Sequence, residues 1–336
     1  MDVGPNDIVW TTPISFVASA NCARYCGAKI DFVDIDPSTR LMSVEKLKQK
    51  LEQAREKNIL PKVVIPVHFA GQACDMAAIK ALAEDYQFSI IEDAAHAIGS
   101  RYEDTKIGDC QYSDITIYSF HPVKTLTTAE GGAITTNSDE LNQKVRQLLT
   151  HGITRDTSLL QNQDEGGWYY EQQALGFNYR LSDLHAALGE SQLKRLDEFV
   201  AKRGILFSRY NQLLSSLPLK LPQENAKTLS AWHLYVIEIE DAQCTRREIF
   251  DFLRANNIGV NVHYIPIHMQ PDFRAMGFKS GDFPAAEAYY KNAISLPLYP
   301  DLSVDEQDYI VAKLGAALKN KTAVNDLAAV NKGGQE

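Results

Sequence analysis

Along the first half of the chain, short apolar runs alternate with longer segments whose apolar residues recur every three or four positions. Asp7–Thr12, Ile30–Ile35, Val63–Val67, Phe88–Ile91, Thr116–Phe120 and Ala133–Thr136 read as strands. Val63–Val67 is apolar throughout and mostly β-branched, as expected of a strand covered on both faces. Ser15–Tyr25, Ser43–Lys57, Met76–Tyr86 and Asp139–Thr150 carry the helical period, and Ser15 and Ser43 stand where a side-chain oxygen caps a helix. This alternation predicts an α/β fold, a mainly parallel sheet with helices on both faces. Ligands in such sheets sit beyond the carboxyl ends of the strands, where His68, Asp93 and Ser119 fall.

The second half is less regular. Ser158–Gln173 is polar apart from Trp168, Tyr169 and Tyr170 and reads as a long loop, a kind of segment that often carries function. Leu181–Leu214 has a helical apolar pattern throughout. Leu234–Ile239 and Val260–Tyr264 read as strands, Arg246–Ala255 and Asp305–Leu318 as helices. A chain of 336 residues exceeds what one core usually serves. The expected division is a large domain over 1–205, a smaller α+β domain over 206–320, and a small-residue, polar, disordered tail over 321–336.

Composition narrows the function. The 34 basic and 43 acidic residues give a net charge of -9, which argues against nucleic acid as the main partner. It leaves room for a small phosphorylated ligand. No apolar run is long enough for a transmembrane helix, and the first seven residues lack the basic and apolar regions of a signal peptide, so a cytoplasmic location is expected. The five cysteines are scattered, and no His cluster completes a zinc set around Cys22 and Cys26. Reduced thiols and no metal are expected.

Candidate chemistry lies in two segments. Ser119-Phe120-His121-Pro122-Val123-Lys124 places a lysine a few residues beyond a strand, before a Thr-rich loop ending in Gly131-Gly132. Alone, such a lysine is simply solvated. Ile90-Ile91-Glu92-Asp93-Ala94-Ala95-His96 places an aspartate directly after a buried strand. A carboxylate there needs a cation, and a protonated pyridine nitrogen is one. A lysine that must lose its proton near neutral pH is favoured by burial. Helix capping over the Ala-rich turn explains Asp93 equally well on spacing.

The two segments together resemble the diagnostic motifs of the DegT-type sugar aminotransferases, which have the aspartate-aminotransferase-like fold type I of pyridoxal 5'-phosphate (PLP) enzymes. Further matches are Thr12-Pro13-Ile14-Ser15-Phe16, Phe32-Val33-Asp34-Ile35-Asp36, Pro66-Val67-His68-Phe69-Ala70-Gly71-Gln72, Gly176-Phe177-Asn178-Tyr179-Arg180 and Trp232-His233-Leu234-Tyr235, spanning Val3 to Leu318. The resemblance implies that Lys124 holds the cofactor covalently and carries the proton. By the same likeness Asp93 pairs with the ring nitrogen, Phe16 stacks on the ring and His96 lies near its hydroxyl. Ser119 contributes to the phosphate site, as does Asn178 from a second subunit, so a homodimer with shared sites is implied. Arg180 then supports the interface or makes a structural ion pair. Related dehydrases carry His at the lysine position, so Lys124 points to transamination.

His263-Tyr264-Ile265-Pro266-Ile267-His268 supplies imidazoles and a phenol able to bond a nucleotide sugar. His263, Tyr264 and His268 are therefore substrate-binding candidates, each with a surface or structural alternative. With Gln270-Pro271, Asp282-Phe283-Pro284 and Ser295-Leu296-Pro297-Leu298, this stretch is most similar to family members of pseudaminic acid type. These use L-glutamate to aminate C4 of a UDP-linked 4-keto-6-deoxy-N-acetyl-hexose. A perosamine-type keto sugar is the alternative. The opening Met1–Asp7 resembles an internal family segment, Gly-x-Gly-Pro-Gly-Asp, before which the family carries a Ser-Gly-Thr-Ala-like phosphate turn. On that comparison the chain is expected to be N-terminally short, either a fragment of an active enzyme or a genuine short form with weaker cofactor binding, down to a catalytically silent one.

Overall fold

Apolar alternation becomes sheet as soon as the chain enters it. The computed structural model describes residues 1–162, 165–240 and 244–319. Ile8–Thr11 (β1) is followed by helix Ala18–Tyr25 (α1), strand Lys29–Phe32 (β2), helix Val44–Glu56 (α2), strand Val63–Ile65 (β3), helix Met76–Tyr86 (α3) and strand Ser89–Asp93 (β4). A small hairpin, Arg101–Tyr102 (β5) and Thr105–Lys106 (β6), precedes Ile115–Ser119 (β7) and Gly132–Thr135 (β8). The main sheet runs β2-β1-β3-β4-β7-β8, with only the β7–β8 pair antiparallel. Burial of all of β3 explains its unbroken apolar run, since helices cover both faces of the sheet. Leu47, Leu51 and Ala54 seat α2 on the core, each fully buried leucine contributing about 1.5–3 kcal/mol. Ser43 caps this helix by accepting the Lys46 N–H, as expected.

Ser15 behaves differently from expectation. The first helix starts only at Ala18, and Ser15 bonds the Ser19 hydroxyl at 2.7 Å instead of capping a backbone amide. A buried acidic neighbour downstream of Ser19 competes for these hydroxyls.

The next segment comprises Asp139–Leu148 (α4), a two-stranded ribbon Ile153–Thr154 (β9) with Glu171–Gln172 (β10), and helices Asp183–Leu193 (α5) and Leu196–Leu214 (α6). The expected single helix over 181–214 is thus two, interrupted at Lys194–Arg195. The polar loop expected over 158–173 is the connection within the ribbon, and residues 163 and 164 lie outside the described residues.

The rest contains Leu219–Lys220 (β11), Thr228–Leu229 (β12), Tyr235–Ile239 (β13), Arg246–Ala255 (α7), Pro271–Ala275 (α8), Pro284–Asn292 (α9), Ala293–Leu296 (β14) and Val304–Lys319 (α10). Strands β11, β13 and β14 form an antiparallel sheet, while β12 joins the β5–β6 hairpin. A second apolar cluster, distinct from the one around the main sheet, gathers Phe207, Tyr210, Tyr235, Ile249, Leu253 and Leu314. The strand expected at Val260–Tyr264 is absent: the only sheet pairing there is one bridge, Asn261 to Ser295. The backbone leaves β14 and runs back toward the main sheet, where Ile267 N–H reaches Pro13 O at 2.9 Å. The expected tail over 321–336 lies outside the described residues.

Candidate active site

Strand β4 ends at Asp93, and the loops after β1, β3 and β7 converge on it, as the carboxyl ends of parallel strands should. Asp93 is buried. Its Oδ2 accepts from the Ser19 hydroxyl at 2.6 Å and its Oδ1 from the Ala95 N–H at 3.1 Å. The second bond closes a local turn; no helix follows Asp93, so the helix cap weighed as an alternative is not formed. The first is a contact the sequence reading missed, although Ser15 and Ser19 are one helical turn apart.

Lys124 lies in the loop after β7, held by its own N–H to His121 O at 2.9 Å. Burial makes its amine less basic than a free lysine, and the Asp93 charge opposes this only in part. His96 follows β4 by three residues. Its Nδ1 accepts the Ala70 N–H at 3.3 Å and its Nε2 lies 3.0 Å from the Tyr264 hydroxyl. Burial, then the charges of His233, Lys124 and His263, keep this imidazole neutral.

His233 had no assigned role in the sequence reading, yet its ring centroid is 4.4 Å from that of His96. Gly71 makes this approach possible: at φ +98 it is left-handed, and a Cβ there would meet Trp232 N at 3.0 Å and His96 O at 3.1 Å. His233 N–H bonds Ala70 O at 2.9 Å, and its buried Nδ1 has no partner among the described residues. Arg203 was also missed. It is buried without an acidic partner among the described residues, and its Nη1 donates to the carbonyls of Trp232, His233 and Leu298. A buried basic residue in a long amphipathic helix is the only sequence signal for it.

His263 Nδ1 is 2.8 Å from Ser295 Oγ, and its backbone carbonyl accepts from the Tyr289 hydroxyl at 2.5 Å. Burial, aided by the Lys124 charge, lowers its pKa to about 4. Lys124, Arg203, His233, His263 and Ser295 line one open cleft of about 1110 Å³. Phe16 is 62% exposed, its ring 6.5 Å from Tyr264 between centroids, so an aromatic face stands open beside Tyr264.

Three expected residues stand apart within one chain. Ser119, at the end of β7, accepts only the His121 N–H, at 3.4 Å, which leaves its hydroxyl hydrogen unspent. Asn178 is exposed, and its Oδ1 accepts from Arg180 Nε and Nη2 at 3.1 and 3.0 Å. Neither bonds Asp93 or Lys124. His268 departs from expectation. It is fully buried, its Nε2 bonds Glu287 at 2.9 Å, its ring packs on Phe283, and its buried Nδ1 has no partner among the described residues. Its imidazole satisfies a half-buried carboxylate that also takes the Ser280 hydroxyl and the Gly281 N–H.

The arrangement can hold a planar, cationic, aromatic ligand. It offers a buried carboxylate, an open phenyl face, a lysine of reduced basicity and unspent hydroxyl donors. Residues 1–315 match the sequence profile of the DegT/DnrJ/EryC1/StrS aminotransferase family. The chain is 40% identical over 316 residues to the spore coat polysaccharide biosynthesis protein SpsC of Bacillus subtilis (strain 168), covering 92% of this chain and 78% of that one. Among solved structures it resembles Helicobacter pylori PseC, an aminotransferase of pseudaminic acid biosynthesis, with TM-score 0.84, 28% identity, and 94% and 80% of the two chains covered. A putative sugar aminotransferase from Streptococcus pneumoniae, solved in its PLP form, gives TM-score 0.83 at 28% identity over 97% and 83% of the chains.

Proposed function

The chain belongs to the DegT/DnrJ/EryC1/StrS aminotransferase family, and from that premise we propose that it transfers an amino group from L-glutamate to C4 of a UDP-linked 4-keto-6-deoxy-N-acetyl-hexose. The observation that carries the aminotransferase reading is the pair at the sheet end: a buried carboxylate, Asp93, acting electrostatically on a lysine, Lys124, whose basicity burial has reduced. The likeness to PseC supports the sugar and the pseudaminic acid type of pathway.

The family is PLP-dependent, and the residues fit the cofactor. Bound PLP supplies an electron sink for the carbon that loses its proton. Asp93, with Ser19 and Ala95 fixing its two oxygens, would hold the proton on the ring nitrogen of bound PLP. Phe16 offers its open face to the ring. Lys124, neutral more readily than an exposed lysine, would hold the cofactor and, once displaced from it by the donor amine, would carry protons between the substrate carbons and the cofactor carbon. His263 stays neutral and polar in the cleft wall, where its Nε2 serves a sugar or phosphate oxygen. Ser119 of the same chain, with Asn178 of the partner subunit, would complete the phosphate site. The exposed surface holding Asn178, Arg180 and the apolar residues around them supports a homodimer.

A second reading, amination of a different keto sugar for a surface polysaccharide, is favoured by the 40% identity to the spore coat protein. The deciding experiment is an absorbance spectrum of the purified chain with PLP, beside its Lys124→Ala variant. A lysine-dependent band bleached by L-glutamate is expected. Mass spectrometry of keto sugars offered in turn then separates the two substrates. If the intact chain gives no band, a catalytically silent relative replaces both readings.

A further inference from the structure

Arg203 carries a charge that no described residue neutralises. From α6 its Nη1 donates to the carbonyls of Trp232, His233 and Leu298 at 3.2, 3.2 and 2.8 Å. Its Nε is sealed off without a partner among the described residues, while Nη2 bonds none of them and stays open to the cleft. Burial alone lowers its pKa to about 10, so it is cationic at neutral pH. Of the acids lining the same cleft, Asp301 pairs with Lys202 at 3.7 Å and Glu306 accepts the Ser303 N–H at 2.8 Å; neither these nor Asp305 pairs with Arg203. A buried guanidinium with an open nitrogen and no counter-ion is a site for an anion, because pairing offsets the cost of the uncompensated charge. His233 lies beside it, and neither of its ring nitrogens bonds a described residue. The charges of Lys124 and Arg203 both act on this ring, whereas Lys124 and Arg203 do not act on each other. Arg203 is therefore farther from the lysine than His233 is.

From this placement we propose that Arg203, with His233 beside it, is the subsite for the distal carboxylate of the amino donor, and so selects a dicarboxylic amino acid. The inference rests on the aminotransferase reading above. The donor's reacting carbon must meet Lys124, so its near carboxylate stays by the lysine and its far one reaches on past His233 to Arg203. The guanidinium Nη2 donates to that carboxylate, and the neutral imidazole of His233 adds its one N–H. A donor with a neutral end leaves the buried cation unpaired, which is the physical source of the selection.

The test compares L-glutamate with L-glutamine, which has the same length and a neutral end, in bleaching the PLP-loaded protein. Arg203→Gln should raise the half-saturating L-glutamate concentration about 10–100-fold, the worth of a charged hydrogen bond. The maximal rate and the value for L-glutamine should change little, and Arg203→Lys, which keeps the charge, should lose less. Equal losses for both amino acids would overturn the assignment and leave Arg203 a strut for three carbonyls. A measurement on the unaltered chain covers the case in which Arg203→Gln does not fold. In the cofactor-free protein, glutarate should move the nitrogen-15 side-chain signal of Arg203 and UDP should not. Movement by UDP alone would overturn the assignment in favour of the sugar nucleotide's phosphates. Movement by neither would refute it and leave the open nitrogen to water. Absence of a lysine-dependent band in the unaltered protein defeats the function reading itself, and the glutarate spectrum, taken without PLP, still judges the subsite.

Discussion

At the scale of single residues, the site depends on which charges are allowed to persist in a buried place. Asp93 is buried, yet both of its oxygens are bonded. Replacing it with Asn keeps the shape and removes the charge that would hold the ring proton. We expect kcat to fall by about 10–100-fold, the worth of a charged hydrogen bond, with secondary structure unchanged by circular dichroism. The histidines beside it make the opposite demand, because burial keeps His96, His233 and His263 neutral. The unfolded chain therefore binds more protons than the folded one below the ordinary histidine pKa of about 6.5. Their contribution is complete above that pH and is lost as pH falls, for His263 through about 4. Urea unfolding should show stability declining from pH 6.5 to 4. His263→Gln should flatten that decline by on the order of 2 kcal/mol after screening; an unchanged slope would mean that His263 is protonated in the folded state.

Elements show what one chain leaves uncovered. Helices α4 and α5 bury no residue, although α4 has a marked apolar face. Leu184, Leu188, Leu193, Phe177 and Tyr179 are exposed on α5 and the loop before it. So much apolar surface around one helix marks an association site. This is the surface through which the proposed dimer would bring Asn178 to the other subunit's phosphate site. The double variant Leu184→Lys, Leu188→Lys should be monomeric in sedimentation experiments at micromolar concentration, and should lose PLP affinity at the same time. A dimer that survives both changes would place the interface elsewhere. The interruption between α5 and α6 at Lys194–Arg195 is an element-scale fact that periodicity did not reveal, because the apolar pattern continues through it.

On the scale of the whole molecule, two apolar clusters must be kept in register, since the cleft with Lys124 is walled by residues of both halves of the chain. Arg40 is one tie between them. From the turn after β2, its Nε reaches Glu238 Oε1 on β13 at 2.8 Å, while its other nitrogens bond Val236 O and Lys220 O. Breaking a buried pair leaves an uncompensated charge. Glu238→Ala should therefore lose about 3–5 kcal/mol in denaturant unfolding, whereas a loss under 1 kcal/mol would mean that the backbone carbonyls alone neutralise Arg40.

Several features were determined by the sequence itself. The βα alternation, the buried β3 run, the Ser43 cap and the positions of Asp93 at a strand end and Lys124 beyond one all follow from local periodicity and chain chemistry, which act over a few residues. The family motifs brought Phe16, His96 and Tyr264 into view by position. Tertiary structure decided the rest, because each remaining feature depends on a partner far along the chain. Ser15 and Ser19 serve Asp93 instead of capping a helix. Val260–Tyr264 leaves the strand pattern to cross back to the main sheet. His268 is claimed by Glu287. His233 is brought against His96 where Gly71 lets two backbones approach, and Arg203 is held in the cleft wall by three carbonyls. Hydrogen-bond competition and close packing operate between residues up to some 250 positions apart, as from Asp34 to Ala286, and no window along the chain contains both ends of such a contact.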